Sequence, residues 1–256
     1  SNTILQPGDC LNVYVTEKKA SEQIVPVPTD LSVVFEDEHV LVIDKPAGMP
    51  VHPSQGHYEN TLANAIAWYF RNEETPFVFR AVNRLDRDTS GLILLAKNPY
   101  SSCILSDAVK DHAIHREYAA IVSGKTADSG TIDLPIARKD GSTIERVCDP
   151  ERGDAAVTHY QTIAYNKDAD LSFIRLLLET GRTHQIRVHM KAIGHPLPGD
   201  FLYCPDYRLI DRQPLHSIYL SFSHPVTGKK LEFSAPLPQD MQNLFPDIKN
   251  PEGPVF

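Results

Sequence analysis

Three clusters of this 256-residue chain place groups that can move protons or hold anions against strongly apolar sequence. The first, Arg84-Leu85-Asp86-Arg87-Asp88-Thr89-Ser90-Gly91, runs directly into the apolar stretch 92–96. That stretch is short, continuous and bounded by Gly91 and Lys97, the pattern of a strand buried on both faces. A carboxylate at Asp86 is then carried on a short segment held by rigid core, where a reacting group keeps its geometry. The competing explanation is a polar turn with an ordinary Asp86–Arg84 surface pair. The second cluster is Thr180-Gly181-Arg182-Thr183-His184-Gln185-Ile186-Arg187-Val188-His189. Thr183 is a helix N-cap by type and Gly194 a stop, and on that helix Ile186, Met190 and Ile193 form the buried stripe. Arg187 falls at the edge of the stripe and needs an anionic partner, since a buried unpaired charge is costly. Asp86 is the candidate. The third cluster, His115-Arg116-Glu117-Tyr118, opens a strand. A tyrosine there is either core or a platform for a base, a contact of about 1–3 kcal/mol in nucleic-acid binders.

Several other chemistries fit the spacings poorly. His184 and His189 are five residues apart, so they do not share a helix face as zinc-binding pairs do, and structural hydrogen-bonding histidines are expected instead of a metal site. Asp86-x-Asp88 with Ser90 four positions after Asp86 matches the spacing of a phosphoaspartate enzyme. There, however, the aspartate follows a buried strand, whereas here residues 81–85 make a poor strand and the good one comes afterwards. Cys10, Cys103, Cys148 and Cys204 include no C-x-x-C pair, which excludes the usual zinc spacing, gives no disulfide framework and suits a reducing compartment. No window approaches the roughly 18–20 consecutive apolar residues of a membrane helix. No basic segment followed by an apolar core opens the chain, so a cytoplasmic protein is expected.

The net charge of −8 argues against nucleic acid only in bulk. Residues 1–60 hold three lysines against nine acidic side chains, so most of the excess lies there. From Arg175 to Lys191 there are four basic residues and one acid, Glu179. Phosphate binding needs a local basic surface, not a basic protein.

The elements that must position these groups follow from periodicity. Residues 33–44 read as a hairpin with an acidic turn, followed by the loop Lys45-Pro46-Ala47-Gly48. Leu62, Ala65, Ile66, Tyr69 and Phe70 mark an amphipathic helix capped by Asn60 or Thr61. Leu105, Ala108, Val109 and His112 share a face of a second helix. Strands are expected at 118–122, 157–164, 172–178, 215–222 and 230–233, with a loop or hairpin at 137–155. Without regular βα alternation, the fold class is α+β with a large, mostly antiparallel sheet.

The three clusters, in this order, resemble the RluA family of pseudouridine synthases. Residues Arg84–Gly91 match its R-L-D-x-x-T-S-G motif, and Thr180–His189 match T-G-R-x-H-Q-I-R-x-H, followed by Gly194-His195-Pro196 and Gly199-Asp200. The tyrosine cluster is similar to K-x-Y, with Arg116 replacing lysine. The stretch from Val40 to Gly48 and the pairs Leu215-His216 and His224-Pro225 agree as well, and Asn83 stands where many members have histidine. The resemblance spans roughly residues 32–238.

It implies the pseudouridine synthase fold, a mixed, mostly antiparallel sheet with flanking helices and a central RNA-binding cleft. It implies an isomerase that uses neither cofactor nor metal and acts on specific uridines in structured ribosomal or transfer RNA. Asp86 would be the catalytic carboxylate, Arg187 its ion-pair partner and Tyr118 the ring that stacks on uracil. Arg84 would fill the gap left by the flipped uridine, with Arg87, Arg182 and Lys191 as phosphate contacts. Residues 31–240 would be the catalytic domain, 241–256 a tail, and 1–30 an N-terminal fragment and linker, the fragment 5–15 resembling the last strand of an upstream small RNA-binding domain. A monomer is expected. The alternative is an RNA-binding protein of the same fold that has lost catalysis.

Overall fold

The apolar run after Gly91 becomes β3 (Ser90–Ala96), a strand whose every residue is buried. A computed structural model describes residues 4, 6–10, 21, 24–54, 56–72, 76–248 and 253–256. Before β3 come the hairpin β1 (Ser32–Glu36) and β2 (Val40–Lys45) and the helix α1 (Leu62–Tyr69). After it come α2 (Pro99–Lys110), β4 (His115–Ser123), β5 (Ser129–Asp133), and a small hairpin of β6 (Ile136–Arg138) and β7 (Arg146–Cys148). The chain continues through β8 (Val157–Asn166), β9 (Leu171–Leu178), α3 (Gln185–Ala192), β10 (Leu215–Ser223), β11 (Lys230–Ser234) and α4 (Gln239–Leu244).

Among the described residues, nine strands form one sheet in the order β1-β2-β3-β10-β4-β9-β8-β5, with β11 also on β10. Among the described residues of this sheet, only the β3–β10 pairing is parallel. It joins the strand that leaves the first cluster to the strand that carries Leu215-His216. The approach is close at Gly91 (φ +106°), where a Cβ would lie 2.2 Å from the Ser217 carbonyl oxygen. Only glycine fits there.

Side chains alternate across the strands, and each face takes its own helices. Ile93 and Leu95 of β3 pack with Leu62 and Ile66 of α1, while Leu92 and Leu94 pack with Leu105 of α2. Tyr118 and Ala120 of β4 face Ile186 and Met190 of α3, while Ala119 and Ile121 face Met241 of α4. Thus α3 covers the face on which Tyr118 stands.

The structure departs from the sequence expectations at several points. Thr183 is not the cap of α3. His184 occupies that position in the left-handed region (φ 58°, ψ 18°) and makes no capping bond. The turn is closed instead by Gln185, whose Oε1 accepts from the Arg182 backbone N–H (2.9 Å) and the Thr180 hydroxyl (2.8 Å). Arg187 is not at the edge of a stripe, because residues 185–190 are all buried. Strand β5 and helix α4 were not anticipated. Residues Met241 and Phe245, expected in a tail, lie in the core behind β4 and β9. Most of the fragment 5–15 falls outside the described residues.

Candidate active site

The loop bearing Asp86 is tied to its surroundings at three points and closed by one bond of its own. Asn83 Oδ1 accepts from the Leu94 N–H of β3 (2.8 Å). Lys45, fully buried at the end of β2, donates to the carbonyls of Arg87 (3.1 Å), Met49 (2.8 Å) and Pro46 (2.8 Å). Arg212 donates to the Asp88 carbonyl (3.0 Å), and the Thr89 N–H closes the turn on the Asp86 carbonyl (3.2 Å). Burial pushes the Lys45 ammonium down to about 7, against the pull of Asp88 and Asp86. Its three carbonyl acceptors match the three N–H donors of the charged form. The loop leaves through Ser90, whose hydroxyl pairs with His216 Nδ1 at 2.9 Å in the interior.

Arg187 rises from α3 to meet this loop. Its Nη1 donates to Asp86 Oδ2 at 2.9 Å, while Nε and Nη2 form a two-point pair with Asp200 at 2.6 and 2.7 Å. The Arg187 and Asp200 side chains are 1% and 0% exposed, and Asp86 is 20% exposed. Burial opposes the charge on Arg187, but the Asp200 hydrogen bonds and both carboxylates outweigh it and hold its pKa above the ordinary arginine value. Arg187 is therefore a fixed cation that fastens Asp86 from one side. Asp200 is the site residue that sequence reasoning did not single out. The signal was present in Gly199-Asp200, but nothing in its spacing tied it to Arg187.

Asp86 borders a narrow pocket of about 60 Å³, walled by Leu85, Tyr118, Leu178, Ile186 and Leu215. Tyr118 is 5% exposed, and burial raises its phenol pKa, so it stays protonated at neutral pH. The pocket opens into two grooves, and Arg84, Asp86 and His184 border all three spaces. One groove, about 570 Å³, is edged by Arg116, Arg182, Lys110 and His112. The other, about 430 Å³, is edged by His52, His57, Ile144 and Phe201. An apolar slot beside a carboxylate, flanked by cations, suits a flat, uncharged ring on a phosphodiester strand.

The structure thus brings Asp86, Tyr118, Arg187, Arg84 and Arg182 together around one opening. Arg87 edges the second groove but is paired with Asp88 at 2.7 Å, its guanidinium 5.5 Å from the Phe201 ring centroid. Lys191 is exposed one turn further along α3 and does not border the pocket; its Nζ lies 5.5 Å from the Tyr203 ring centroid. His189 is buried and bonded to the Thr158 hydroxyl and the Leu134 carbonyl, both at 2.9 Å. Among the described residues no group of histidine, cysteine and carboxylate side chains could hold a metal ion.

Known proteins similar to this chain fall in one family. The family model for RNA pseudouridylate synthase matches residues 39–192. An uncharacterized RNA pseudouridine synthase of Bacillus subtilis, YjbO, is 46% identical over 94% of this chain and 85% of its own length. The ribosomal large subunit pseudouridine synthase D of Zymomonas mobilis is 42% identical over 93% of this chain and 78% of its own. Among solved structures, human RNA pseudouridylate synthase domain containing 1 superposes with a TM-score of 0.67 at 24% identity, covering 87% of this chain and 97% of that one. That likeness shows the shared fold. The family model and the relatives agree, and the chain belongs to the RNA pseudouridylate synthase family, in its RluA branch, whose members are isomerases acting on RNA.

Proposed function

We propose that the chain converts uridine to pseudouridine in folded ribosomal RNA, with Asp86 as the reacting carboxylate. The observation that carries this reading is the asymmetric hold on Asp86. One carboxylate oxygen is fastened to a buried Arg187, the other makes no bond to it, and Asp86 lines the pocket that Tyr118 and Leu215 wall. Relatives named as ribosomal large subunit enzymes favour ribosomal over transfer RNA as the first substrate to test.

In this reading the flipped uridine enters the slot with its base against Tyr118 and its ribose beside Asp86. The bond from the anomeric carbon to the ring nitrogen breaks, the base turns within the slot, and carbon 5 takes the nitrogen's place. The proton released from carbon 5 is the observable product. Arg187 orients the carboxylate without consuming its free oxygen. Apolar walls hold the detached base and keep water from the sugar. Arg84, exposed at the junction of the three spaces, occupies the gap that the flipped nucleotide leaves, and Arg182 and Arg87 meet phosphates of the flanking strand. The same proposal takes residues 31–240, with α4 packed on them, as the catalytic unit of a cytoplasmic monomer.

Tritium release from ribosomal and transfer RNA labelled at carbon 5 of uridine, in the presence of chelator, tests the reading. Wild-type release with none from Asp86→Asn supports it and identifies the RNA class. Equal release by both proteins removes Asp86 from the chemistry, and release by neither leaves a binding protein of this fold.

A further inference from the structure

His184 stands in the reaction pocket and the steps above leave it idle. Its backbone holds the left-handed conformation (φ 58°), which a non-glycine residue adopts at an energetic cost and keeps where surrounding structure demands it. The ring is fixed as firmly. Nδ1 lies 2.9 Å from the Tyr203 hydroxyl, and that hydroxyl already accepts the Arg146 backbone N–H at 2.9 Å. Burial pushes the Tyr203 phenol up to about 12, so the hydroxyl keeps a proton that it can donate to Nδ1. In that arrangement the proton of a neutral imidazole sits on Nε2. Burial and the charge of Arg187 both favour that neutral form, against the pull of Asp86.

Nε2–H points to the one part of Asp86 that Arg187 leaves open. Its distance to Oδ1 is 3.9 Å, too long for a direct hydrogen bond. It is the right span for a single bridging oxygen. Two hydrogen bonds of about 2.8 Å meet across such a gap at roughly 90°. The bridging oxygen must accept from the imidazole and donate to the carboxylate, which a water does in the free protein and a substrate hydroxyl can do in its place. When the carboxylate acts at the anomeric carbon or its neighbour, the sugar hydroxyl beside it is the one on carbon 2.

We propose that His184 reads the 2′-hydroxyl of the target ribose, donating Nε2–H to its oxygen while the hydroxyl donates to Asp86 Oδ1. The inference rests on Asp86 as the reacting carboxylate and adds the chemical feature by which the pocket tells a ribonucleotide from a deoxyribonucleotide. Tyr203 is the positioning residue, since its hydroxyl selects the tautomer.

The test uses an RNA stem-loop around a uridine that the wild-type chain modifies, and the same RNA with 2′-deoxyuridine at that one position. Single-turnover rates and dissociation constants are measured for both. The dissociation constants carry the comparison where the deoxy RNA reacts too slowly to follow. Wild type should prefer the all-ribose RNA. His184→Asn keeps a residue that tolerates the left-handed backbone but is too short to reach Asp86. It should weaken the all-ribose RNA by about tenfold and leave the deoxy RNA nearly unchanged, so the preference collapses. His184→Gln, whose amide reaches further, should restore part of it, and Tyr203→Phe should lower it in the same sense. Equal losses on both RNAs, or no loss on either, overturn the inference and leave His184 a structural residue. Failure of wild type to modify any uridine sinks the functional reading itself, and the inference with it.

Discussion

Asp86 and Asp200 share one guanidinium, yet removing them should have opposite consequences for fold and activity. Asp200 is fully buried and accepts four hydrogen bonds: two from Arg187 at 2.6 and 2.7 Å, and the backbone N–H groups of Leu202 (3.0 Å) and Tyr203 (3.2 Å). Asp200→Ala leaves an arginine that is 1% exposed with a single ion-pair bond to Asp86 and frees two backbone donors. Breaking a buried pair by deleting one partner costs about 3–5 kcal/mol. That is a third or more of the roughly 5–15 kcal/mol that stabilises an ordinary domain. Asp86→Ala, by contrast, leaves Arg187 and Asp200 as a complete two-point pair and removes the second of two carboxylates on one cation. The lost bond comes from a partly exposed group, so the cost is about 1 kcal/mol.

Urea unfolding followed by circular dichroism, with ΔG extrapolated linearly, measures both terms. Tritium release measures activity on the same preparations. Asp86→Ala should be folded, near wild type in midpoint, and inactive. Asp200→Ala should lose 3 kcal/mol or more and, where still folded, show a lowered turnover number because Arg187 swings with its remaining partner. Asp200→Asn should fall between the two, since the amide keeps one acceptor but not the charge. An Asp200→Ala midpoint equal to wild type would refute the view that Asp200 anchors the cation. A large loss for Asp86→Ala would show that the supposed reacting group is itself structural.

Three further outcomes follow from the supports of the Asp86 loop. Gly91→Ala puts a Cβ 2.2 Å from the Ser217 carbonyl oxygen at φ +106°, so it should unfold the protein or lower its melting temperature by several degrees; an unchanged melting curve contradicts the close approach of β3 and β10. Lys45→Met strips three part-buried carbonyls of their donor, at about 1 kcal/mol each, and releases Arg87. Turnover should fall further than RNA affinity, and a variant with normal turnover would separate Lys45 from the loop. Burial holds the His216 imidazole down at about 4, against its ordinary 6.5. The unfolded chain therefore binds the extra proton first, so stability is complete above pH 6.5 and is lost by roughly 3 kcal/mol as pH falls towards 4. His216→Gln should flatten melting temperature across that window, and an unaltered slope would assign the acid sensitivity elsewhere.

The parts of the site legible in the sequence were those in which one short segment carries both chemistry and its own support. Asp86 could be placed because six polar or charged residues precede an unbroken apolar run, and that run is indeed β3. Tyr118 could be placed on a strand because residues 118–122 are β-rich, though their alternation between α3 and α4 needed the sheet order. Arg187 could be assigned an anionic partner because a helix stripe gave its burial. What could not be read was how many partners it has. Asp200 lies thirteen positions away beyond a turn, and only folding brings its carboxylate onto the same guanidinium. The tautomer of His184 was equally hidden, since it is set by Tyr203 and, through it, by the backbone of Arg146 on β7. Periodicity reports which face a residue occupies; it carries no information about a three-body contact between loops.

That contrast also explains how an acidic chain can present an RNA site. Carboxylates near the pocket are largely engaged by groups of the protein: Asp200 by Arg187, Asp88 by Arg87, and one oxygen of Asp86 by Arg187. Their charge is compensated within an ångström-scale contact, and little of their field reaches the grooves. Arg84 and Arg182 are exposed at the rim, and Arg116 edges the same groove, where phosphates can replace solvent around them. Much of the net negative charge lies in residues 1–60, outside the three clusters. Screening over about 8 Å at physiological ionic strength keeps remote charges from cancelling the rim. A net charge of −8 and a cationic strand path are therefore compatible, because binding follows the field within a Debye length of the pocket and not the sum over the molecule.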